Sequence, residues 1–231
     1  MDRFVFPPWV NTFTMMALAG AGGGALYVGA LLFYGTMPEV MHAGYQPTQP
    51  VPFSHKLHAG ELKMDCRYCH NTVDQAGHAA VPPTNTCANC HRGKNPDGTF
   101  SKTAIHTASL KLQPVRDSLA TGEPIEWERV HDLADFVYFN HSVHVNSGVS
   151  CVSCHGRIDK MDKVYQHESL SMSWCLDCHR NPTEHLRPQE FITKLDWDPE
   201  KTMEKTRAEI GAEIQEKHNI RPSTNCSTCH R

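Results

Sequence analysis

The sequence predicts a mainly α-helical protein with much irregular structure, in which one N-terminal transmembrane helix precedes a domain with a thin side-chain core. Three observations lead to this prediction. An uncharged apolar run lies near the N-terminus, 15 Gly and 15 Pro interrupt the 231 residues, and only 8% of the residues are aromatic. Glycine and proline favour turns and end regular elements. We therefore expect short helices, long loops and little sheet.

The apolar run accounts for the first helix. Residues 9–34 carry no charge, and about 26 residues are enough to cross a bilayer as a helix. Trp9 and Tyr34, at its two ends, are residue types that anchor helices at membrane interfaces. A cleaved secretory signal is the alternative, but the run is longer than the apolar region of most signals. We therefore expect residues 1–36 to be an uncleaved membrane anchor.

Glycines crowd part of this apolar run. They are Gly20, Gly22, Gly23, Gly24 and Gly29. Each glycine costs helix stability, and close packing against another helix can offset that cost. We expect this glycine-rich face to dock against integral membrane subunits, with a merely flexible apolar segment as the alternative.

Five copies of one short motif carry the chemistry of the remaining chain. The motif C-x-x-C-H has its cysteines at Cys66 and Cys69, Cys87 and Cys90, Cys151 and Cys154, Cys175 and Cys178, and Cys226 and Cys229. This is the pattern of covalent haem c attachment, in which two thiols bind the porphyrin and the adjoining imidazole binds the iron. The proximal ligands are then His70, His91, His155, His179 and His230.

Cysteine usage favours haem over the other uses of such a motif. The chain has 10 cysteines, and five motifs with two each use them all. A zinc ribbon does not need a histidine after every second cysteine, and a thiol redox site would need only one C-x-x-C. We therefore predict five covalently bound haem c groups.

The haem groups also explain the thin side-chain core. Beyond the anchor, roughly 190 residues leave about 38 for each haem, so the porphyrins would form much of the apolar interior. The formal net charge is −3, and five haems with two propionates each would add about −10 against about +5 from ferric iron. An acidic protein of this kind is not expected to bind nucleic acid.

The motifs divide the chain into modules. Residues 37–54 are polar and rich in proline, which predicts an extended tether after the anchor. Residues 55–115 hold two motifs and residues 116–231 hold three. Turn-forming sequence without a motif, between residues 95 and 124, marks the boundary between this dihaem module and this trihaem module.

One helix is predicted near the C-terminus, over residues 198–219. Asp198 would be its N-cap, Pro199 its first residue and Asn219 a residue near its end. Its apolar face is narrow, so we expect a mostly solvated helix that spaces the last motif from the others.

An internal repeat indicates where the second axial ligands lie. FSHKLHAGELKMDCRYCH, from residue 53, and FNHSVHVNSGVSCVSCH, from residue 139, both place a phenylalanine and two histidines before a motif. Two histidines three residues apart on a helical turn lie near one face and can reach different haems. We assign His55 and His141 to the haem of their own following motif, and His58 and His144 to neighbouring haems.

The repeat supplies four distal ligands and leaves the fifth unassigned. His131, just ahead of the second repeat, is the first candidate. Met161, beside the third motif, is an alternative that would give one His/Met haem with a raised potential. A buried methionine that packs against a porphyrin face would equally explain Met161.

The motif-bearing part of the sequence resembles known families. The His-x-x-His and C-x-x-C-H repeats look like those of class III multihaem cytochromes c. Within residues 65–182, DCRYCHNTV, PPTNTCANCH, GEPIEWERVHDLADFVYFNHSVHV, GVSCVSCHGRIDKMDKVYQ and LSMSWCLDCHRNP are similar to the pentahaem cytochrome c subunit family of alternative complex III. The anchor followed by five motifs resembles the pentahaem cytochrome c subunit of alternative complex III. The resemblance implies a membrane quinol-oxidising assembly in which this subunit takes electrons from an iron–sulfur subunit. It implies delivery to a monohaem cytochrome c, a soluble carrier or a terminal oxidase.

These features predict an electron-transfer subunit of a quinol:acceptor oxidoreductase rather than a catalyst alone, and no catalytic residue is predicted. Covalent haem attachment places the haem domain on the periplasmic side of the bacterial cytoplasmic (inner) membrane, and Arg3 gives a weak charge bias in the same direction. The alternative is a membrane quinol dehydrogenase of its own, which feeds a periplasmic reductase through a haem with an open coordination position.

Overall fold

The computed structural model describes residues 5–35, 42–95, 97–99, 102 and 104–230. The chain divides into two compact units, Met1–His42 and Ala43–Arg231. The end of the predicted anchor and the start of the predicted tether, residues 36–41, lie outside the described residues. The predicted boundary between a dihaem and a trihaem module stays a prediction.

The first unit contains one long helix, α1 (Trp9–Gly35). It has 27 residues, its most apolar window has a mean hydropathy of 1.7, and none of that window is buried inside the protein. A helix of this length extends about 40 Å, which exceeds the hydrocarbon thickness of a bilayer. The helix is therefore compatible with the predicted membrane anchor.

The second unit is built from short helices and loops. Its α-helices are α2 (Cys66–Cys69), α3 (Thr84–His91), α4 (Gln113–Thr121), α5 (His141–Asn146), α6 (Val152–His155), α7 (Met172–Arg180), α8 (Pro199–Met203), α9 (Arg207–Lys217) and α10 (Cys226–Cys229). A π-helix spans Lys56–Glu61, and 3₁₀ helices span Leu110–Leu112, Ile158–Lys160, Pro182–His185 and Gln189–Phe191. Two isolated bridges join described residues to each other, Val137 with His230 and Val149 with Leu186. The predicted mainly helical, irregular fold is confirmed.

Small polar residues start several of the motif helices. The side chain of Asp65 accepts from the backbone of Arg67 before α2, that of Ser171 from Trp174 before α7, and that of Asn225 from Ser227 before α10. Such caps satisfy backbone N–H groups at a helix start that have no partner within the helix. They fix a turn of helix at the motif itself.

The side-chain core is small and lies mainly in the C-terminal half of the second unit. The buried apolar residues of the described chain are Val51, Ala88, Val115, Met161, Leu186, Ile192, Leu195, Trp197 and Ile210. Side chains alone thus bury little apolar surface in the motif-bearing regions, which fits the prediction that cofactors supply the interior.

Residues 43–54, within the predicted tether, belong to the second unit and are hydrogen-bonded to it. Gln49 donates to the carbonyl of Glu128 (2.8 Å) and accepts from the backbone N–H of that residue (3.0 Å). The N–H of Gly44 donates to the carbonyl of Gln166 (2.7 Å). Hydrogen bonds to backbone groups more than 70 residues away along the chain fix this extended segment.

The single C-terminal helix predicted over residues 198–219 is wrong. The structure has α8 and α9 there, separated because Glu204 adopts a left-handed conformation with φ 55°. Thr206 then starts α9 with a capping box, in which its side chain and that of Glu209 bind each other's backbone N–H. This box is a stronger start signal than Asp198, whose side chain caps no N–H.

The expectation of a mostly solvated helix also fails for α9. Ile210 is only 2% exposed, and Gly211 beside it is buried. A side-chain carbon added at Gly211 would overlap the carbonyl oxygen of Thr183, in the 3₁₀ helix that follows the fourth motif. Glycine therefore allows the two backbones to touch at this point.

Replacing Gly211 with alanine should destabilise the protein by about 3 kcal/mol, because the added methyl forces α9 away from residues 182–185. Denaturant unfolding of the haem-loaded protein, followed by far-UV circular dichroism, measures the change. Glu216→Ala, on an exposed position of the same helix, should change the stability by no more than about 0.5 kcal/mol. Equal stability of the two variants would show that the backbones do not meet at Gly211.

Candidate haem-binding site

The five motifs all lie on short helices, and no disulfide joins any of their ten cysteines. In the first motif the N–H of His70 donates to the carbonyl of Cys66 (2.9 Å), and in the third the N–H of His155 donates to that of Cys151 (2.9 Å). Such a turn places side chains four residues apart on one face. The first thiol and the imidazole of a motif therefore face the same side.

The structure brings four motif histidines opposite four histidines of the repeat. The ring centroids are 6.5 Å apart for His55 and His70, 6.4 Å for His58 and His91, 6.5 Å for His141 and His155, and 6.2 Å for His144 and His179. Within each repeat, the first histidine pairs with its own motif and the second with another motif. The assignment of these four repeat histidines as distal haem ligands stays a prediction.

The spacing of these pairs fits two imidazoles bound to opposite sides of one metal ion. Metal–nitrogen bonds of about 2 Å on each side, with half a ring beyond each nitrogen, place the centroids a little over 6 Å apart. The angle between ring planes ranges from 3° for His55 and His70 to 68° for His58 and His91. Two imidazoles that held one metal ion between them could adopt this range, because each ring would be able to turn about its own metal–nitrogen bond.

The two copies of the repeat have the same local geometry. Phe53 lies 4.9 Å from His55 at 87° and 4.3 Å from His58 at 26°. Phe139 lies 4.8 Å from His141 at 87° and 4.5 Å from His144 at 28°. One phenylalanine thus meets the edge of one histidine and stacks on the other, which sets the orientation of both rings.

Backbone carbonyls hold most of these imidazoles through Nδ1. Such bonds leave Nε2 free for a metal and fix the tautomer. The partners are Ala80 for His70 (2.9 Å), Ile105 for His91 (2.9 Å), Ser223 for His179 (2.6 Å), Ser54 for His58 (2.9 Å), Asn140 for His144 (2.8 Å) and Gly77 for His141 (3.1 Å). His55 differs, because its buried Nδ1 has no hydrogen-bond partner.

Burial keeps several of these rings neutral. Together with smaller contributions from neighbouring histidines, it lowers the pKa of His155 to about 3 and the pKa of His55 to about 4. Burial also lowers the pKa of His141 and His144. Neutral imidazole is the form that binds a metal, so these rings are ready to act as ligands at neutral pH.

Neighbouring thiols show which motifs lie next to one another. Cys66 and Cys151 are within hydrogen-bonding reach, and that bond together with burial raises the pKa of the Cys66 thiol. Burial and the nearby Cys178 and Cys175 raise the pKa of Cys154 to about 12. Cys69 of the first motif lies near Cys87 of the second, and Cys175 of the fourth motif lies near Cys229 of the fifth. In space the motifs follow the order second, first, third, fourth, fifth.

The fifth motif differs from the other four. The ring of His230 lies 5.7 Å from Phe136, and its Nδ1 lies 3.3 Å from the carbonyl of that residue. Within the described part of the chain, no ring pair joins His230 to another histidine. The structure therefore does not bring a distal histidine opposite this motif.

His131 and Met161 lie elsewhere than beside the fifth motif histidine. The His131 ring is 4.4 Å from His155, and its Nε2 is buried without a hydrogen-bond partner. Met161 is 6% exposed, and its carbonyl accepts from the N–H of Lys56, beside the first repeat. Neither residue lies opposite His230. The assignment of His131 or Met161 as the distal ligand of the fifth haem stays a prediction.

Sequence reasoning missed the residues that support the ligands. The phenylalanine of each repeat was visible in the pattern, but nothing in one sequence assigned it to both histidines. Gly156, directly after the third motif, was not singled out; its φ is 63°, and a side-chain carbon there would lie 2.5 Å from the ring of His167. A glycine after C-x-x-C-H is a weak signal, because only the fold shows what approaches it.

Comparison with known proteins adds to this geometry. Residues 34–115 match the class III cytochrome C family, and residues 137–231 match cytochrome c7 and related cytochrome c. A relative from Nitratidesulfovibrio vulgaris, named as the multihaem cytochrome c subunit of menaquinone reductase, is 26% identical over 190 residues. The aligned region covers 71% of this chain and 83% of the relative. Both matched regions of the chain are therefore similar to multihaem cytochromes c, proteins that bind haem c covalently and transport electrons.

Proposed function

We propose that this chain is a five-haem electron-transfer subunit of a membrane quinol-oxidising complex. The four histidine pairs at 6.2–6.5 Å carry the proposal. Two protein ligands on an iron leave no position for a substrate, so these four sites favour electron transfer over chemistry at the metal. The proposal of a fifth haem depends on the fifth motif, Cys226, Cys229 and His230.

The chain's own residues would hold, orient and shield the cofactors. Each haem, when bound, supplies a one-electron couple that exchanges electrons with its neighbours through the porphyrin edges. His58 ties the second site to the first, and His144 ties the fourth to the third, because each stands three residues from a ligand of the other site. The thiols of Cys66 and Cys151 bring the first and third sites together. The path would run from the second site through the first, third and fourth to the fifth.

The proposed partners follow from the anchor and from the relative. The glycine-rich face of α1 would dock against integral membrane subunits, because its glycines leave open surface for a second helix. We place the haem domain on the periplasmic side of a bacterial cytoplasmic membrane. An iron–sulfur subunit would supply electrons, and a monohaem cytochrome c or an oxidase would accept them. The name of the relative, a subunit of menaquinone reductase, supports a quinol as the ultimate donor.

Haem content and carbon monoxide binding test the proposal on the purified full-length protein. We expect five haems per chain, and four in the Cys226→Ser/Cys229→Ser variant. After reduction, the four paired sites should bind no carbon monoxide. A carbonyl adduct at any of those four, or a haem content below five in the unaltered protein, would contradict the proposal.

A second candidate function is a quinol dehydrogenase of its own with one open haem, which would feed a periplasmic reductase. The absence of a described histidine opposite His230 favours it. The purified chain alone would then be reduced by a soluble menaquinol analogue and would bind one carbon monoxide at the fifth site. An electron-transfer subunit, in contrast, should be reduced by quinol only in membranes that contain its partner subunits.

A further inference from the structure

Arg187 is a charged side chain that the fold buries beside the third haem-attachment site. Only 3% of the residue is exposed. Its N–H donates to the carbonyl of Gly148 (2.9 Å), and the neighbouring Leu186 forms a bridge with Val149. This pairing fixes Arg187 next to the segment that leads into Cys151. The guanidinium and Cys151 lie close enough for each to shift the pKa of the other.

The charge of Arg187 is not balanced by any described side-chain carboxylate. Among the described residues, no aspartate or glutamate forms an ion pair with its guanidinium, whose Nη1 donates to the carbonyl of Lys194 (3.2 Å). The group lies over the ring of Trp197, 5.1 Å from its centroid. Burial lowers the pKa of Arg187 to about 10, so the group stays protonated at neutral pH. A buried, unpaired cation is costly to stability and calls for a functional explanation.

The backbones of Gly148 and Arg187 lie in close contact. Gly148 has a φ of 95°, which favours glycine, and an added side-chain carbon would lie 2.9 Å from the carbonyl oxygen of Arg187. This contact fixes the backbone of Arg187 relative to the third motif, and the carbonyl of Lys194 and the ring of Trp197 position its guanidinium.

We propose that Arg187 tunes the third site: its fixed positive charge raises the reduction potential of the haem attached at Cys151 and Cys154. Oxidised iron carries one more positive charge than reduced iron, so a nearby cation disfavours the oxidised form. The effect is strong where few waters screen it. The inference rests on the proposed function. Through Arg187 the protein itself would set the reduction potential of the third haem, at the point where the two repeats meet.

A redox titration of the haem-loaded full-length protein tests the inference. In Arg187→Gln and Arg187→Met, one component of the titration should move to lower potential, and in Arg187→Lys it should stay close to that of the unaltered protein. His141→Met identifies the component, because methionine ligation should move the haem of Cys151 and Cys154 to higher potential. Arg207→Gln is the matched control: Arg207 lies 5.9 Å from the same Trp197 ring. It is more exposed than Arg187, so its loss should shift this component less.

The outcomes separate the two proposals. If His141→Met moves one component and neither neutral variant of Arg187 moves it, the tuning role is wrong while the haem assignment stands. If His141→Met moves none, the proposed ligation itself fails. A shift in Arg187→Lys as large as in Arg187→Gln would assign the effect to packing, and would also overturn the tuning role.

Discussion

Without haem attachment, the second unit of the chain should not fold. Its described residues include few buried apolar side chains, and most of them lie between Leu186 and Ile210. The chain exposes 16179 Å², against about 10,500 Å² for a compact protein of 25.9 kDa. The exposed helix α1 accounts for part of this difference. Only cofactors between the short helices would bury enough surface to offset the entropy of folding.

The measurement is limited proteolysis and far-UV circular dichroism of the full chain, produced in cells with and without the haem-attachment machinery. We expect the haem-free protein to be cut throughout residues 43–230 and to show no cooperative unfolding. Helix α1 should survive in detergent, because its backbone hydrogen bonds are internal. A cooperative transition in the haem-free protein would overturn the prediction.

Removal of single haems should have graded effects. Cys226→Ser/Cys229→Ser removes the fifth site, whose Cys226 is exposed and which lies at one end of the order of motifs. Cys151→Ser/Cys154→Ser removes the third site, where burial and nearby thiols raise the pKa of Cys154 and where the first repeat is joined to the second. The Cys151→Ser/Cys154→Ser variant should lower the midpoint of thermal unfolding far more than the Cys226→Ser/Cys229→Ser variant. Equal effects would show that the third site is not central to the fold.

Local sequence patterns predicted the parts of this protein that depend on near neighbours. The C-x-x-C-H motifs predicted the thiols and imidazoles that share a face. The repeat predicted that His55 and His58 point to different motifs, because a spacing of three residues on one helical turn leaves little other choice. The length and apolar character of residues 9–34 predicted α1 for the same reason, since a spanning helix needs only its own residues.

The remaining features depend on approaches between distant segments, which one sequence does not reveal. The position of His131 beside His155 is one of them, and the contact between Gly211 and Thr183 is another. The order of the motifs in space also differs from their order in the chain. The missed break near Glu204 is different in kind, because the Thr206 and Glu209 capping box was present in the sequence and was outweighed by the Asp198 and Pro199 signal.

The pairing between repeats is tested most directly at His144. Replacing it with alanine should open the haem of the fourth motif, held by Cys175 and Cys178, because the His144 ring lies 6.2 Å from that of His179. A repeat that served only its own motif would instead open the third haem. We expect a change from low-spin to high-spin iron at one haem, and one additional carbon monoxide bound per chain after reduction. His218→Ala, at an exposed position, should leave the spectrum unchanged.

A second substitution identifies which haem has opened. In a chain that also carries Cys175→Ser and Cys178→Ser, the fourth haem is absent, so His144→Ala should add no carbon monoxide binding. Continued binding in this background would mean that His144 serves another haem, and the link between the third and fourth sites would be lost. The same logic applies to His58 and the second motif, whose His91 ring lies 6.4 Å away. If both histidines serve the neighbouring site, one helical turn in each repeat holds two haems at once and thereby fixes the distance over which an electron passes between them.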